Sequence, residues 1–170
     1  MARTAAQNRT RKNACYDYRL ATPDGCEVTR YLTDDRDAIK WMSNSTLPGY
    51  EIHHILGRGR EPKFEYWCNL IQASRPFHKW LHDVSPSEGE LACYWAKYQR
   101  HLDQIASRKA AKMLPISDES RLFWNPTVMS ELTEQNGLAG RISYLLWKVD
   151  AGSIYAKFGN ELLKVLGDSQ

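Results

Sequence analysis

Polar and apolar residues alternate with a period of two in two short stretches near the amino terminus. The alternating positions are Tyr16, Tyr18 and Leu20, then Cys26, Val28 and Arg30. Residues 22–25, Thr-Pro-Asp-Gly, separate the stretches and have the composition of a turn. This pattern predicts a short N-terminal β-hairpin. A brief helix is expected next, from Thr33 or Asp34 to about Met42, followed by a loop at residues 43–49.

A strand, a loop, a second strand and a helix are predicted, in that order, in the middle of the chain. Residues 50–56 have the β-branched and aromatic content of a strand, and a loop rich in glycine and arginine interrupts it. A second extended segment covers about residues 66–72. Ser74 then provides a helix cap, Pro76 is tolerated in the first turn, and the helix extends to about Asp83.

The second half of the chain has a helical pattern. Beyond Pro86, apolar residues recur every three or four positions, which predicts a long helix that ends near Met113. The recurring residues are Leu91, Trp95, Tyr98, Leu102 and Ile105. Residues 87–90, Ser-Glu-Gly-Glu, have the sequence of a capping box. Two or three shorter helices are expected afterwards: one before Gly137, one from Leu138 to Val149, and one from Ile154 to Leu166 that Gly167 stops.

These elements predict an α+β fold class, with a strand–loop–strand–helix unit embedded in a mainly helical domain. The expected divisions are a basic N-terminal arm with hairpin and short helix at residues 1–48, the central unit at 49–85, and a helical extension at 86–170. A chain of 170 residues, 42% of them hydrophobic, can bury its own core, so one compact domain is expected overall.

The cellular location is predicted from what the chain lacks. No apolar run approaches the length that crosses a bilayer, and the first 12 residues have no apolar segment typical of a secretory signal. The four cysteines, Cys15, Cys26, Cys68 and Cys93, form no CxxC pair and indicate scattered thiols in a reducing compartment. We therefore expect a cytoplasmic protein without membrane contact.

Positive charge is concentrated in two segments, although the net charge of the chain is only +3. Residues 1–20 contain five Arg or Lys against one Asp, a net +4, and residues 96–113 have the same balance. Two basic segments on a nearly neutral chain suit a polyanionic partner that is contacted at defined faces. The alternative is a solvated terminus and a solvated helix face.

Four of the five histidines lie between positions 53 and 82. His78 and His82 are four residues apart on the predicted helix, so both rings project from one face and can ligate the same cation. His53 and His54 are consecutive in the predicted strand and therefore point to opposite faces. One imidazole can then join a metal ion while its neighbour transfers a proton.

With Asn69 between the two histidine pairs, this segment resembles the HNH, or His-Me finger, endonucleases, and its spacing is close to that of the nuclease colicins. The resemblance covers residues 50–83 and implies a ββα-metal unit. It implies that His53, His78 and His82 hold one divalent cation, that His54 is the general base, and that Asn69 braces the loop so that His54 is aimed. Glu51 matches a carboxylate that the family often places two residues before the histidine pair.

The sequence departs from the family in two respects. It lacks the paired cysteines that bind a structural zinc in many members, and Leu47 stands where colicin-like members have an arginine. Phosphate contacts are therefore expected from other cations. The predicted DNA-binding residues are Arg58, Arg60 and Arg75, with Arg9, Arg11 and Lys12 of the basic arm. An all-histidine ligand set favours Zn²⁺, Ni²⁺ or Mn²⁺, with Mg²⁺ as the alternative working ion.

The resemblance implies a metal-dependent DNA endonuclease of a phage or mobile element, located in the host cytoplasm if a phage encodes it. Cleaving a phosphodiester requires an activated water, a base that titrates near neutral pH, and a cation that neutralises developing charge, and these residues supply the last two. Products with a 5′ phosphate follow the family pattern. DNA is the expected partner, with a homodimer as an open alternative. The competing hypotheses are a catalytically silent HNH scaffold that binds DNA or a protein partner, and a purely structural zinc module.

Overall fold

Two antiparallel strands and a set of α-helices make up the structure, a computed structural model that describes residues 4–22, 25–31, 50–57, 59–133 and 136–168. The strands are β1 (Tyr50–His54) and β2 (Leu70–Ser74). The helices are α1 (Ala5–Ala21), α2 (Glu27–Tyr31), α3 (Arg75–Asp83), α4 (Pro86–Ala110), α5 (Pro126–Leu132), α6 (Gly137–Trp147) and α7 (Ile154–Asp168). The fold class is therefore α+β and mainly helical. None of the helices in these described ranges is both long and apolar enough to cross a membrane.

The predicted N-terminal β-hairpin is wrong, because the first alternating stretch lies in α1, and the second has Val28 and Arg30 in α2 with Cys26 just before it. Thr4 and Gln7 form a capping box, with hydrogen bonds of 3.1 and 2.9 Å between each side chain and the other residue's backbone N–H, and this box starts α1. Tyr16 and Leu20 are 63% and 69% exposed, whereas Tyr18 is buried. The alternation of apolar and polar residues here therefore does not mark the buried face of a strand. The helix predicted from Thr33 or Asp34 to Met42 and the loop at 43–49 lie outside the described residues.

The central strand–loop–strand–helix order is observed. In the sheet, Tyr50 pairs with Ser74 and His54 pairs with Leu70, so the two strands are fully in register. The second strand begins at Leu70, later than predicted, because residues 67–69 form a 3₁₀ turn. Helix α3 follows β2 directly, and Ser74 caps it as predicted, since the Ser74 hydroxyl accepts a 3.3 Å hydrogen bond from the Phe77 N–H.

The helical half follows the predicted order, with differences at the helix ends. Helix α4 begins at Pro86 after Ser85, so the predicted capping box at residues 87–90 is wrong: those residues already lie within the first turns. The same helix ends at Ala110, before Met113, and Lys112 has a left-handed backbone with φ of 54°. Gly167 does not stop α7, which continues to Asp168.

The sheet is covered on both faces. The main hydrophobic core packs the inward face of β2 against α3, α4 and the C-terminal helices; fully buried members include Ile71, Phe77, Leu91, Met129, Ile142 and Leu162. A smaller cluster on the opposite face joins Tyr18 of α1 to Leu70 and Phe123, with Ile52 packed against it. Because side chains alternate along a strand, Glu51 and His53 share the face of α3, and Ile52 and His54 share the face of α1.

A buried ionic network holds α1 and α2 against the sheet and α4. Glu27 is 1% exposed; its carboxylate accepts a 2.5 Å hydrogen bond from the Tyr18 hydroxyl and is ion-paired with Arg100. The same carboxylate accepts a 2.6 Å hydrogen bond from the backbone N–H of Gln72 in β2. Lys97, with no exposed surface, donates to the Tyr18 hydroxyl at 2.8 Å and to the Leu70 carbonyl at 2.7 Å. One buried carboxylate thus faces two cationic side chains.

We expect the buried Lys97 to make stability rise with pH. The pKa of Lys97 is lowered from 10.5 to about 7, mainly by burial; Glu27 opposes the shift, and Arg100 contributes to it. Between about pH 7 and 10 the unfolded chain therefore binds more protons than the folded one, so the free energy of unfolding increases with pH. Between pH 7 and 9.5, the free energy of unfolding of the wild type should rise faster with pH than that of Lys97→Met, by up to about 1 kcal/mol per pH unit. Urea unfolding in the presence of chelator measures both.

The control for this measurement is Lys109→Met, on the exposed surface of the same helix, whose difference from the wild type should stay constant with pH. The range stops at pH 9.5 because the pKa of Tyr18 is raised well above 10 by burial, which favours the unfolded state at higher pH. Parallel profiles of unfolding free energy against pH for the wild type and Lys97→Met would contradict the assignment of this pH dependence to Lys97.

Candidate metal centre

Three of the predicted metal ligands meet beside the sheet. His53 comes from β1, and His78 and His82 come from successive turns of α3. Their candidate ligand nitrogens all lie within 4.8 Å of one another, and the ring centroids are 4.6 to 5.2 Å apart. His53 and His78 are half-buried and His82 is exposed, so the group opens to solvent.

The donor set fits a divalent transition metal. Imidazole nitrogens bind Zn²⁺ at about 2.0–2.1 Å, and three nitrogens this close reach one ion through small ring rotations. The Nε2 atoms of His78 and His82 lie 2.9 Å apart, so both rings direct the same nitrogen to a shared point. Three protein ligands leave a coordination position open for water or substrate, which is typical of catalytic sites and differs from a closed structural zinc site.

Glu51 holds one of these rings. Its Oε2 lies 2.5 Å from the Nδ1 of His78, which leaves the Nε2 of that ring for a metal. Glu51 reaches the ring because it is two residues from His53 and therefore lies on the same face of β1. Arg75 is close to the other oxygen of Glu51, with its Nε 3.8 Å from Oε1. The contact makes Glu51 a residue that orients a candidate ligand.

Asn69 closes the loop between the two strands. Its side chain is fully buried; Oδ1 accepts a 2.8 Å hydrogen bond from the Leu56 N–H, and Nδ2 donates to the carbonyls of Leu56 and Phe64 at 3.0 Å. Its backbone carbonyl accepts from the Ile55 N–H at 3.0 Å. Asn69 thus ties the residues immediately after His54 to the start of β2, which is the contact that a loop-bracing role requires.

The structure does not place His54 with the other three histidines. His54 is 6% exposed on the opposite face of β1, where its Nε2 lies 2.8 Å from the Oε2 of Glu65. Within the described part of the chain, its Nδ1 is buried and has no hydrogen-bond partner. Cys15 of α1 lies beside this pair. Sequence reasoning missed Glu65, because it lies in a 3₁₀ turn (Pro62–Glu65) at a position that no spacing rule singles out.

The predicted DNA-binding cations lie at several places on the surface. Arg75 is half-exposed next to Glu51, and Arg60 is exposed in the loop between the strands. Arg9, Arg11 and Lys12 lie on helix α1. The basic segment is therefore helical where it is described. Arg58 lies outside the described residues.

Comparison with known proteins gives no match, whether with family models, with curated proteins or with solved structures.

Replacing Asn69 with alanine should destabilise the protein by about 3 kcal/mol, because it leaves buried backbone groups of Leu56 and Phe64 without partners and each costs about 1–3 kcal/mol. Urea unfolding measures the effect. Asn13→Ala, on the exposed surface of α1, is the control and should change stability by a few tenths of a kcal/mol. Equal losses in the two variants would show that the loop does not depend on Asn69.

Glu51→Gln should weaken metal binding about 10- to 100-fold, because the neutral amide holds the His78 ring less firmly and no longer raises its basicity. Calorimetric titration of the metal-free protein with Ni²⁺ measures the affinity. Glu61→Gln removes an exposed carboxylate in the same segment and should leave the affinity unchanged. If both variants bind like the wild type, Glu51 does not orient a ligand.

Proposed function

We propose that this chain is a divalent-metal-dependent endonuclease that hydrolyses phosphodiester bonds in DNA. The observation that carries the proposal is the convergence of His53, His78 and His82 from a strand and the following helix. These residues, with His54 and Asn69, have the order and spacing of the HNH endonucleases. The half-exposed position of the group is what a site for a large, charged substrate requires.

The candidate ligands and their neighbours would have different roles in such a site. A divalent ion held there would neutralise charge on the scissile phosphate and on the leaving 3′ oxygen. His53, His78 and His82 provide neutral nitrogens, and Glu51 fixes the orientation of the His78 ring through Nδ1. Arg75 provides a positive charge beside Glu51 that can contact the phosphate backbone.

His54 is the proposed general base, held by its neighbours. If the Nε2–H of His54 donates to Glu65, the lone pair lies on Nδ1, which then accepts the proton of the attacking water. Asn69 fixes the backbone that follows this ring. Because Nδ1 is buried on the face that α1 covers, the reaction requires α1 or the ring to move before water and phosphate reach it.

The burial of His54 favours a second candidate function, a binding protein that keeps the scaffold without turnover. In this alternative the three-histidine group holds a metal ion that supports DNA or partner binding, and His54 serves only to hold the loop through Glu65. Such a protein would bind DNA with every divalent metal and cleave it with none. The cations of α1 would contribute to binding in either case.

Cleavage of supercoiled plasmid separates the two functions. Metal-free protein should nick or cut the plasmid only when a divalent cation such as Mg²⁺ or Mn²⁺ is restored, and His54→Ala should reduce the rate about 10²- to 10⁴-fold because it removes the base. His78→Ala should abolish both metal binding and cleavage, whereas His101→Ala, outside the group, should leave both unchanged. DNA binding without cleavage under every metal would favour the binding scaffold, and equal activity of His54→Ala and wild type would refute the assigned base.

A further inference from the structure

A second group of potential metal ligands lies on the opposite face of the sheet. Cys15 comes from the middle of α1, His54 from the end of β1, and Glu65 from the 3₁₀ turn between the strands. Their candidate ligand atoms all lie within 4.8 Å of one another. Cys15 is far in sequence from His54 and Glu65, so no motif links the three residues, and the packing of α1 against the sheet brings Cys15 to the other two.

Burial distinguishes this group from a chance cluster of surface side chains. His54 and Glu65 are both buried and Cys15 is half-buried, so the group is withdrawn from solvent on the side of α1. The Nδ1 atom of His54 is fully buried and, among the described residues, receives no hydrogen bond. The Oε2 of Glu65 lies 2.8 Å from the Nε2 of His54, so a cation shared by the three residues would replace the proton between these two atoms and bind Nε2.

We propose that Cys15, His54 and Glu65 form a second metal site, specific for a thiophilic divalent cation such as Zn²⁺. Thiolate, imidazole and carboxylate are all established zinc ligands, and together they select Zn²⁺ over the oxygen-seeking Mg²⁺. Binding releases the thiol proton of Cys15 to solvent, and water fills the fourth position. This site differs in chemistry from the three-histidine group, which contains no sulfur.

The second site would regulate the first, a consequence that rests on the proposed function. A cation bound to the Nε2 of His54 keeps the ring proton on Nδ1, so no lone pair remains there to accept the proton of water, and its bond to Cys15 fixes α1 over the ring. Zn²⁺ would therefore inhibit cleavage supported by Mn²⁺ or Mg²⁺ at the three-histidine group, and Cys15→Ser would relieve that inhibition without lowering the rate in the absence of Zn²⁺.

Cobalt binding tests the second site independently of nuclease activity. Metal-free, reduced wild-type protein titrated with Co²⁺ should show a thiolate-to-cobalt charge-transfer band in the near ultraviolet and bind two ions per chain. Cys15→Ser should lose the band and bind one ion. The double variant His78→Ala, His82→Ala should keep the band and lose the other ion. Cys26→Ser removes the other half-buried cysteine, and this variant should keep the band and still bind two ions.

Glu65→Gln provides a second variant that leaves Cys15 in place. It should lower the Co²⁺ affinity of the site that gives the band about 10-fold or more. Circular dichroism of each metal-free variant establishes that it is folded. The absence of the band in wild type, or its persistence in folded Cys15→Ser, would overturn the second site. A normal band in a protein that cleaves no DNA would instead overturn the proposed nuclease function and leave the second site intact.

Discussion

The carboxylate of Glu27 is buried where α1, α2, α4 and β2 meet, and the arrangement of these four elements depends on its contacts. An unpaired charge in that position would cost several kcal/mol, so the fold requires both the Arg100 ion pair and the hydrogen bond from Tyr18. The backbone N–H of Gln72 donates a hydrogen bond to the same carboxylate and so links β2 to it. Because Tyr18 lies one turn after Cys15, this network also determines where α1 crosses the sheet.

Because side chains alternate along β1, its two histidines belong to two separate groups of potential metal ligands, one on each face of the sheet. His53 and Glu51 project toward α3, where His78 and His82 complete an open, half-exposed cluster. His54 projects to the other side, where Glu65 and Cys15 enclose it. A shift of one residue in the register of β1 would exchange these faces, so the in-register pairing with β2 is what assigns each histidine its surroundings.

The two groups differ in how they could be used. The three-histidine group has an open side, a carboxylate that orients one ring and a nearby arginine, which are features that the proposed catalytic centre requires. His54 has a rigid backbone behind it, because Asn69 holds the following loop, but its ring is enclosed. In the proposed mechanism the ring of His54 must become accessible, and α1 covers the face of the sheet on which it lies.

The sequence by itself determined the features that depend on neighbouring residues. Ser74 and the apolar spacing after it predicted α3, and the four-residue interval between His78 and His82 placed both rings on one face, because helix geometry is local. The same local reasoning failed at Tyr16–Leu20, where three alternating positions suggested a strand although the Thr4–Gln7 capping box starts a helix. Only the tertiary structure joined Glu65 and Cys15 to His54 and buried Lys97 beside Glu27. These contacts join residues of different elements, and their positions follow from how α1, α2, α4 and the loop between the strands pack around the sheet, which no local pattern encodes.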